Sequence, residues 1–365
     1  MVSMEELLNL MVQRGGSDLH LSVGAPPKIR IDGKLVDTEY EVLMPEATKK
    51  LVYSVLGPDQ VAKLEKNLEI DFSFGVQTLG RFRTNAFVQR GSVAAVLRVI
   101  PYEVYDFQTI GLPVKVCEWI CNLPRGLVLC TGSTGSGKST TLASMINYIN
   151  ESRQGHIITI EDPIEFLHRN KGCLVNQREV GGDTHGFDKA LKSVLRQDPD
   201  VVLVGEMRDL ETIEAALTLA ETGHLTFATL HTSDVTQTVN RIVDVFPAHQ
   251  QQQIRTMLSF TLQAVICQQL VPRIHGKGRA LAAEVMIVNP AIRALVRDNK
   301  AHQIMSIVQT GGAAGMRTMN QSLFELYRSG TISYEDALDH TGDEADFQRL
   351  MERQGSGQAV KKSLR

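Results

Sequence analysis

Residues 126–148 read GLVLCTGSTGSGKSTTLASMINY. Gly126–Cys130 is a short apolar run, Gly132–Ser139 matches G-x-x-x-x-G-K-[ST] without a mismatch, and Thr140–Tyr148 has good helix formers. A buried strand, a glycine-rich loop and a helix in that order form a phosphate cradle. The glycines let backbone N–H groups turn inward around phosphate oxygens, and the helix N-terminus adds partial positive charge. Lys138 is placed to reach the β- and γ-phosphates, and the Ser139 hydroxyl to ligate Mg²⁺. The candidate nucleotide-binding residues are therefore Gly132, Ser133, Thr134, Gly135, Ser136, Gly137, Lys138, Ser139 and Thr140.

Working outward, three more apolar runs have the same texture: His156–Ile160, Val201–Val204 and Leu225–Leu230. Each ends in polar residues rather than a hairpin turn. They read as buried parallel strands of an α/β domain, where ligands sit at the carboxyl ends of the strands. The run Val201–Val204 delivers Gly205 and Glu206, and Glu206 is the candidate general base that orients water for phosphoryl transfer. Gly205 stands where many P-loop NTPases carry a metal-binding Asp. Glu161, past the end of His156–Ile160, then becomes the carboxylate for Mg²⁺, directly or through water. Asp162 and Glu165 in the same loop read as capping or bracing groups. His224 and His231 flank Leu225–Leu230 at opposite ends, so only His231 lies on the carboxyl side, where it can sense the γ-phosphate.

The first hundred residues have a different pattern. Ser3-Met4-Glu5-Glu6 is a capping box, Gly15-Gly16 stops the helix that follows, and Asp18–Val23 alternates as a half-buried strand does. Lys28–Ile31 then Asp32-Gly33 reads as a strand entering a hairpin. Pro45 opens a helical stretch to Asn67, and strands follow at Glu69–Gly75, Arg81–Gln89 and Val93–Ile100. This predicts a small α+β domain over 1–101, a linker over 102–113, an ATPase core over 114–290, a C-terminal helical region over 291–354 and a disordered tail over 355–365. Arg81, Arg83 and Arg98 place cations on its strands; by themselves they read as surface arginines.

The net charge of −3 and the 5% aromatic content give neither the basic field nor the stacking aromatics of a nucleic-acid translocase, so no nucleic-acid partner is expected. No run approaches a membrane span, and Met1–Glu6 lacks the basic region of a signal peptide, so a cytoplasmic protein is expected. The five cysteines are scattered and read as buried free thiols.

Together these motifs resemble the secretion ATPase superfamily of type II secretion and type IV pili. The resemblance rests on GSTGSGKST, TIEDPIEF, VVLVGEMRD, GHLTFATLHT and the early SDLHLSVGAPPKIRIDG, and it covers nearly the whole chain. Within that superfamily the segment Ala291–Asp298 (AIRALVRD) is similar to the C-terminal helical motif of the twitching-motility retraction ATPases. The chain also carries no four-cysteine zinc insert of the assembly and secretion relatives. The resemblance implies a RecA-like P-loop ATPase domain preceded by a PAS-like domain, ATP as substrate, and a homohexameric motor for pilus retraction. It implies a place on the cytoplasmic face of the inner membrane at the pilus base, against a platform protein and other pilus ATPases. It makes Arg83 and Arg98 arginines that reach bound nucleotide, so the candidate catalytic set is Glu206, Glu161, Lys138, His231, Arg83 and Arg98. A pilus-assembly or type II secretion ATPase, and an accessory retraction paralogue, stay open as alternatives. Arg293 and Arg297, on one face of the 291–298 segment, read either as a solvated edge or as a docking patch.

Overall fold

The structure is a computed structural model that describes residues 2–31, 33–76, 79–100, 103–275 and 278–352. The chain divides into two compact units, one running to Glu103 and including Glu165–Leu167, the other comprising Val104–Ile164 and the chain from His168 onward. The expected tail 355–365 and the turn residue Asp32 lie outside the described residues.

In the first unit, α1 (Met4–Gln13) begins as its sequence dictates: Ser3 Oγ accepts the Glu6 N–H, and a Glu6 carboxylate oxygen accepts the Ser3 N–H. Its buried face is Met4, Leu7, Leu8 and Met11. Then come β1 (Asp18–Leu21), β2 (Lys28–Ile31), β3 (Lys34–Asp37), α2 (Pro45–Tyr53), α3 (Pro58–Asn67), β4 (Glu69–Val76), β5 (Gly80–Gln89) and β6 (Ser92–Ile100). The expected single helical stretch from Pro45 is two helices. Gly57 is extended, as the residue before a proline prefers, and Pro58 restarts the helix at its first turn. The six strands form an antiparallel sheet in the order β3-β2-β1-β6-β5-β4. Alternate residues Phe82, Thr84 and Ala86 of β5 are buried, with Leu19 and Leu97 in the same core, while Arg83 is exposed.

The second unit begins with α4 (Phe107–Ile110) and α5 (Val114–Cys121). Phe107 and Leu112 are buried in its core, so this stretch is packed structure even though its sequence has little periodicity. There follow β7 (Gly126–Thr131), α6 (Lys138–Ser152), β8 (His156–Glu161), β9 (Leu174–Glu179), α7 (Phe187–Val194), β10 (Val201–Val204), α8 (Leu210–Glu221) and β11 (Leu225–Leu230). The remaining elements are α9 (Val235–Asp244), α10 (Ala248–Thr261), β12 (Leu262–Pro272), β13 (Arg279–Ile287), α11 (Pro290–Arg297), α12 (Ile304–Thr310), α13 (Met319–Arg328) and α14 (Tyr334–His340). The sheet order is β13-β12-β7-β11-β10-β8-β9, parallel except for the β12–β13 pair. Along β7, Leu127 and Leu129 join the core that α7 to α12 cover, whereas Val128 and Cys130 join the core under α4 to α6. That two-sided burial is why the parallel strands read as unbroken apolar runs. Val271, Ala280 and Ala282 carry α13 and α14 on a smaller cluster. All five cysteines are free and buried.

Candidate active site

The carboxyl ends of β7, β8, β10 and β11 bring the sequence-derived candidates of this unit to one edge of the sheet. After β7 the chain turns through Gly132, whose φ of +141° is foreign to L side chains. A Cβ there would lie 2.4 Å from the Gln268 carbonyl oxygen and 2.6 Å from Ser136 Oγ, so only glycine fits. Gly135 and Gly137 also have positive φ, and Gly137 directly precedes α6. Lys138 Nζ donates to the carbonyls of Gly132 and Ser133 at 2.8 and 2.9 Å, which folds the ammonium over the loop. Burial lowers its pKa, while the Glu206 charge acts the other way. Ser136 Oγ is buried and has no hydrogen-bond partner among the described residues. An orphaned hydroxyl in a glycine-rich loop at a strand end fits a phosphate acceptor. The base of the loop is braced by Gln268, which accepts from Cys130 Sγ and donates to Thr141 Oγ1, both at 2.7 Å.

Glu206 is held by its neighbours on both sides. The Gly205 N–H donates to Ile160 O at 2.8 Å, Thr229 Oγ1 donates to Gly205 O at 2.6 Å, and the Met207 N–H donates to Thr229 O at 3.0 Å. This lacing sets the Glu206 carboxylate against β11, where Oε1 lies 3.1 Å from His231 Nε2 and Oε2 accepts from Arg208 at 2.8 Å. The Arg208 hydrogen bond and charge, with His231, outweigh burial and hold Glu206 below the usual carboxylate range. The Glu206 carboxylate therefore stays ionised and oriented at neutral pH.

Gly205 also has a packing reason. A Cβ there would come 3.1 Å from Ile160 O and 3.2 Å from Glu161 Cα, so an Asp at 205 would force the backbone of β8 to give way. The neighbouring acid is Glu161, almost fully buried, whose Oε1 accepts from Thr159 Oγ1 at 2.6 Å and Gln177 Nε2 at 3.2 Å. Ser139, in the first turn of α6, is exposed. A hydroxyl and a carboxylate are hard oxygen donors that suit Mg²⁺. His224 lies at the other end of β11, where Nδ1 is 3.0 Å from Leu219 O at the end of α8. Glu165 falls in the first unit.

In the first unit the arginines form a row across four strands. Arg30 pairs in register with Asp18, Asp18 with Arg98, and Arg98 with Arg83. Asp18 Oδ1 accepts from Arg98 Nε at 2.8 Å, and Arg30 Nε lies 3.8 Å from Oδ2. Burial pushes the Asp18 carboxyl up, yet hydrogen bonds from Ser17 and Arg98 hold it below its usual range. Arg98 and Arg83 stand directly opposite each other as like charges, an arrangement that costs free energy unless an anion offsets it.

Sequence reasoning missed Arg208, Asp18, Thr159 and Gln177. Arg208 stands two residues beyond Glu206, a spacing open to inspection; the others need strand register to find. It also left the Arg293–Arg297 pair open, and the structure separates the two. Arg293 Nη1 donates to Ser259 O and Phe260 O at 2.8 and 2.9 Å, closing the end of α10, whereas Arg297 is half exposed and pairs only loosely with Asp298, at 3.6 Å.

A family model described as type II/IV secretion system protein matches residues 7–276. The type IV pilus retractation ATPase PilT of Pseudomonas aeruginosa is 52% identical over 332 residues, which is 91% of this chain and 96% of the relative. The type IV pilus ATPase PilU of the same organism is 43% identical over 352 residues, 96% of this chain and 92% of that one. The crystal structure of the pilus retraction motor PilT with bound ADP aligns with a TM-score of 0.90 at 52% identity, covering 96% of this chain and 100% of that one. These likenesses show the RecA-like P-loop fold that the motifs imply. The chain belongs to the type II/IV secretion system protein family.

Proposed function

We propose that the chain is an ATP-hydrolysing motor that powers retraction of a type IV pilus and returns pilin subunits to the membrane. The observation that carries the catalytic part is the Glu206 carboxylate, clamped by Arg208 and His231 at a strand end in the same sheet as the phosphate loop. Glu206 accepts a hydrogen bond from the attacking water and takes its proton. His231 fixes the orientation of that carboxylate and senses the γ-phosphate. Lys138 exchanges the Gly132 and Ser133 carbonyls for β- and γ-phosphate oxygens, and the amides of Gly132–Thr140 hold the phosphate chain. Ser139 and Glu161 would hold magnesium, which when bound supplies positive charge to the phosphates. Arg83 and Arg98 bring further cations to the charge that develops during transfer; such an arginine is worth ~10³–10⁵ in rate.

The retraction reading rests on the likeness to PilT over nearly the full length of both chains. The working form is a homohexamer on the cytoplasmic face of the inner membrane, in contact with the platform protein of the pilus. Among the described residues no helix is long and apolar enough to cross a membrane, consistent with attachment through protein partners. The test is deletion of the gene with complementation by the parent or by Glu206→Gln. Retraction fails while surface pili persist, and only the parent restores it; bald cells would instead make the chain an assembly ATPase. The 43% identity to PilU supports a second reading, an accessory retraction ATPase, in which deletion leaves retraction running on another motor.

A further inference from the structure

Glu284 lies on β13 and is only 2% exposed. Its Oε1 accepts the Val235 N–H at 2.9 Å, and its Oε2 accepts the Met319 N–H at 3.2 Å. Val235 is the first residue of α9 and Met319 the first of α13. Both N–H groups belong to the donors that a helix start leaves unpaired, and a negative charge is favoured there. One carboxylate thus joins two helix starts that are distant in sequence.

The first of those helices leads back to the candidate site. His231, Thr232, Ser233 and Asp234 are all that separate β11 from Val235. Within that turn Asp234 Oδ1 accepts the Gln237 N–H at 2.8 Å, and the hydroxyls of Thr232 and Thr238 meet at 2.7 Å. The turn carrying His231 is therefore pinned by β11 on one side and by Glu284 on the other. The connection also runs through the sheet. Glu284 is the register partner of Cys267 on β12, and Cys267 Sγ accepts from Thr131 Oγ1 at 3.0 Å. Thr131 is the residue immediately before the phosphate loop. The second helix start belongs to the C-terminal helical region. That region is also fastened to β13 by a backbone pair between Val285 and Arg317, by Arg317 Nε donating to Ala283 O at 2.9 Å, and by Ser322 Oγ accepting the Ala283 N–H at 3.0 Å.

The titratable groups facing Glu284 are Asp234 from the start of α9 and the Cys267 thiol from β12. Burial, aided by Asp234, raises the Glu284 carboxyl to about 7 against the pull of its two N–H donors. A buried acid held at such cost is expected where two donors need one acceptor, since an apolar residue would be cheaper to bury.

We propose that Glu284 is a positioning residue for His231, through which the C-terminal helical region sets the rate of ATP hydrolysis. This rests on the reading of His231 and Glu206 above and names the group that fixes the histidine's place. The test is a double-mutant cycle on the purified full-length protein, with steady-state phosphate release measured for the parent, Glu284→Gln, His231→Ala and the double variant. Glu284→Gln lowers kcat about tenfold with KM for ATP within about twofold, because it perturbs the hydrolytic step and spares binding. In the His231→Ala background the same substitution has no further effect. An equal loss in both backgrounds, or an unchanged kcat, overturns the proposal. If His231→Ala alone keeps full kcat, the hydrolytic reading of His231 fails and the proposal falls with it. A measurement on the unaltered chain covers the case in which Glu284→Gln does not fold. A non-hydrolysable ATP analogue with magnesium slows hydrogen exchange at the Val235 and Met319 amides together. Slowing at Val235 alone overturns the link to α13.

Discussion

Glu206 and Arg208 are two residues apart, and the arginine holds the acid below its usual pKa. Arg208→Ala removes the largest of those influences, so the Glu206 pKa rises and the acid limb of the kcat–pH profile moves to higher pH. A profile that keeps its acid limb in place would detach Arg208 from the base. Asp18 gives a stability counterpart. Its folded pKa lies below the ordinary value, so its contribution is complete above the unfolded pKa and is lost as pH falls through the folded one. The Tm gap between the parent and Asp18→Asn should be open at pH 7 and begin to close below about pH 4. At this scale the P-loop, Glu206, Glu161 and His231 are legible because each lies inside or next to a run whose pattern can be read locally. Asp18 and Gln177 are not, because their partners Arg98 and Glu161 are met only through strand pairing.

Elements hold these residues in place, and their failures in the reading have physical causes. The four central parallel strands are legible because burial on both faces demands unbroken aliphatic runs. Strand β9, sequence LVNQRE, is the edge of the same sheet and tolerates polar residues, which hides it. Strands β12 and β13 were not anticipated; β12 follows the apolar end of α10 directly, and no breaker separates the two patterns. Arg293 caps that helix end, and its loss leaves the part-buried Ser259 carbonyl without this donor. Arg293→Ala should cost about 1–3 kcal/mol, whereas Arg297→Ala, at an exposed and loose pair, should change stability by less than about 0.5 kcal/mol. Thermal denaturation of both variants checks this, and a twitching defect in Arg297→Ala with normal ATPase then isolates a docking role. Glu284 adds a pH signature to β13. Its folded pKa of about 7 against the ordinary 4.5 means the native state holds a proton that the unfolded chain releases. The parent gains on Glu284→Gln as pH falls from 8 to 5, by up to about 3 kcal/mol, and loses that gain as pH rises through 7.

Over the whole molecule, one unit is built on the sheet that carries the phosphate loop and the other on a smaller sheet with an arginine row. The division is visible in sequence as the change from alternating strands to buried apolar runs. The packing of Phe107 and Leu112 is not, because two apolar residues in a short stretch show no period. The slight negative charge is not the basic field that a nucleic-acid translocase needs. Everything proposed for the motor depends on hydrolysis directed by the carboxylate that β10 delivers beside β11. Steady-state phosphate release by the purified Glu206→Gln protein, compared with the parent at matched nucleotide affinity, reads that dependence directly. A fall of about 10²-fold or more with ATP still bound is the expected result; undiminished turnover would mean that another group directs the water.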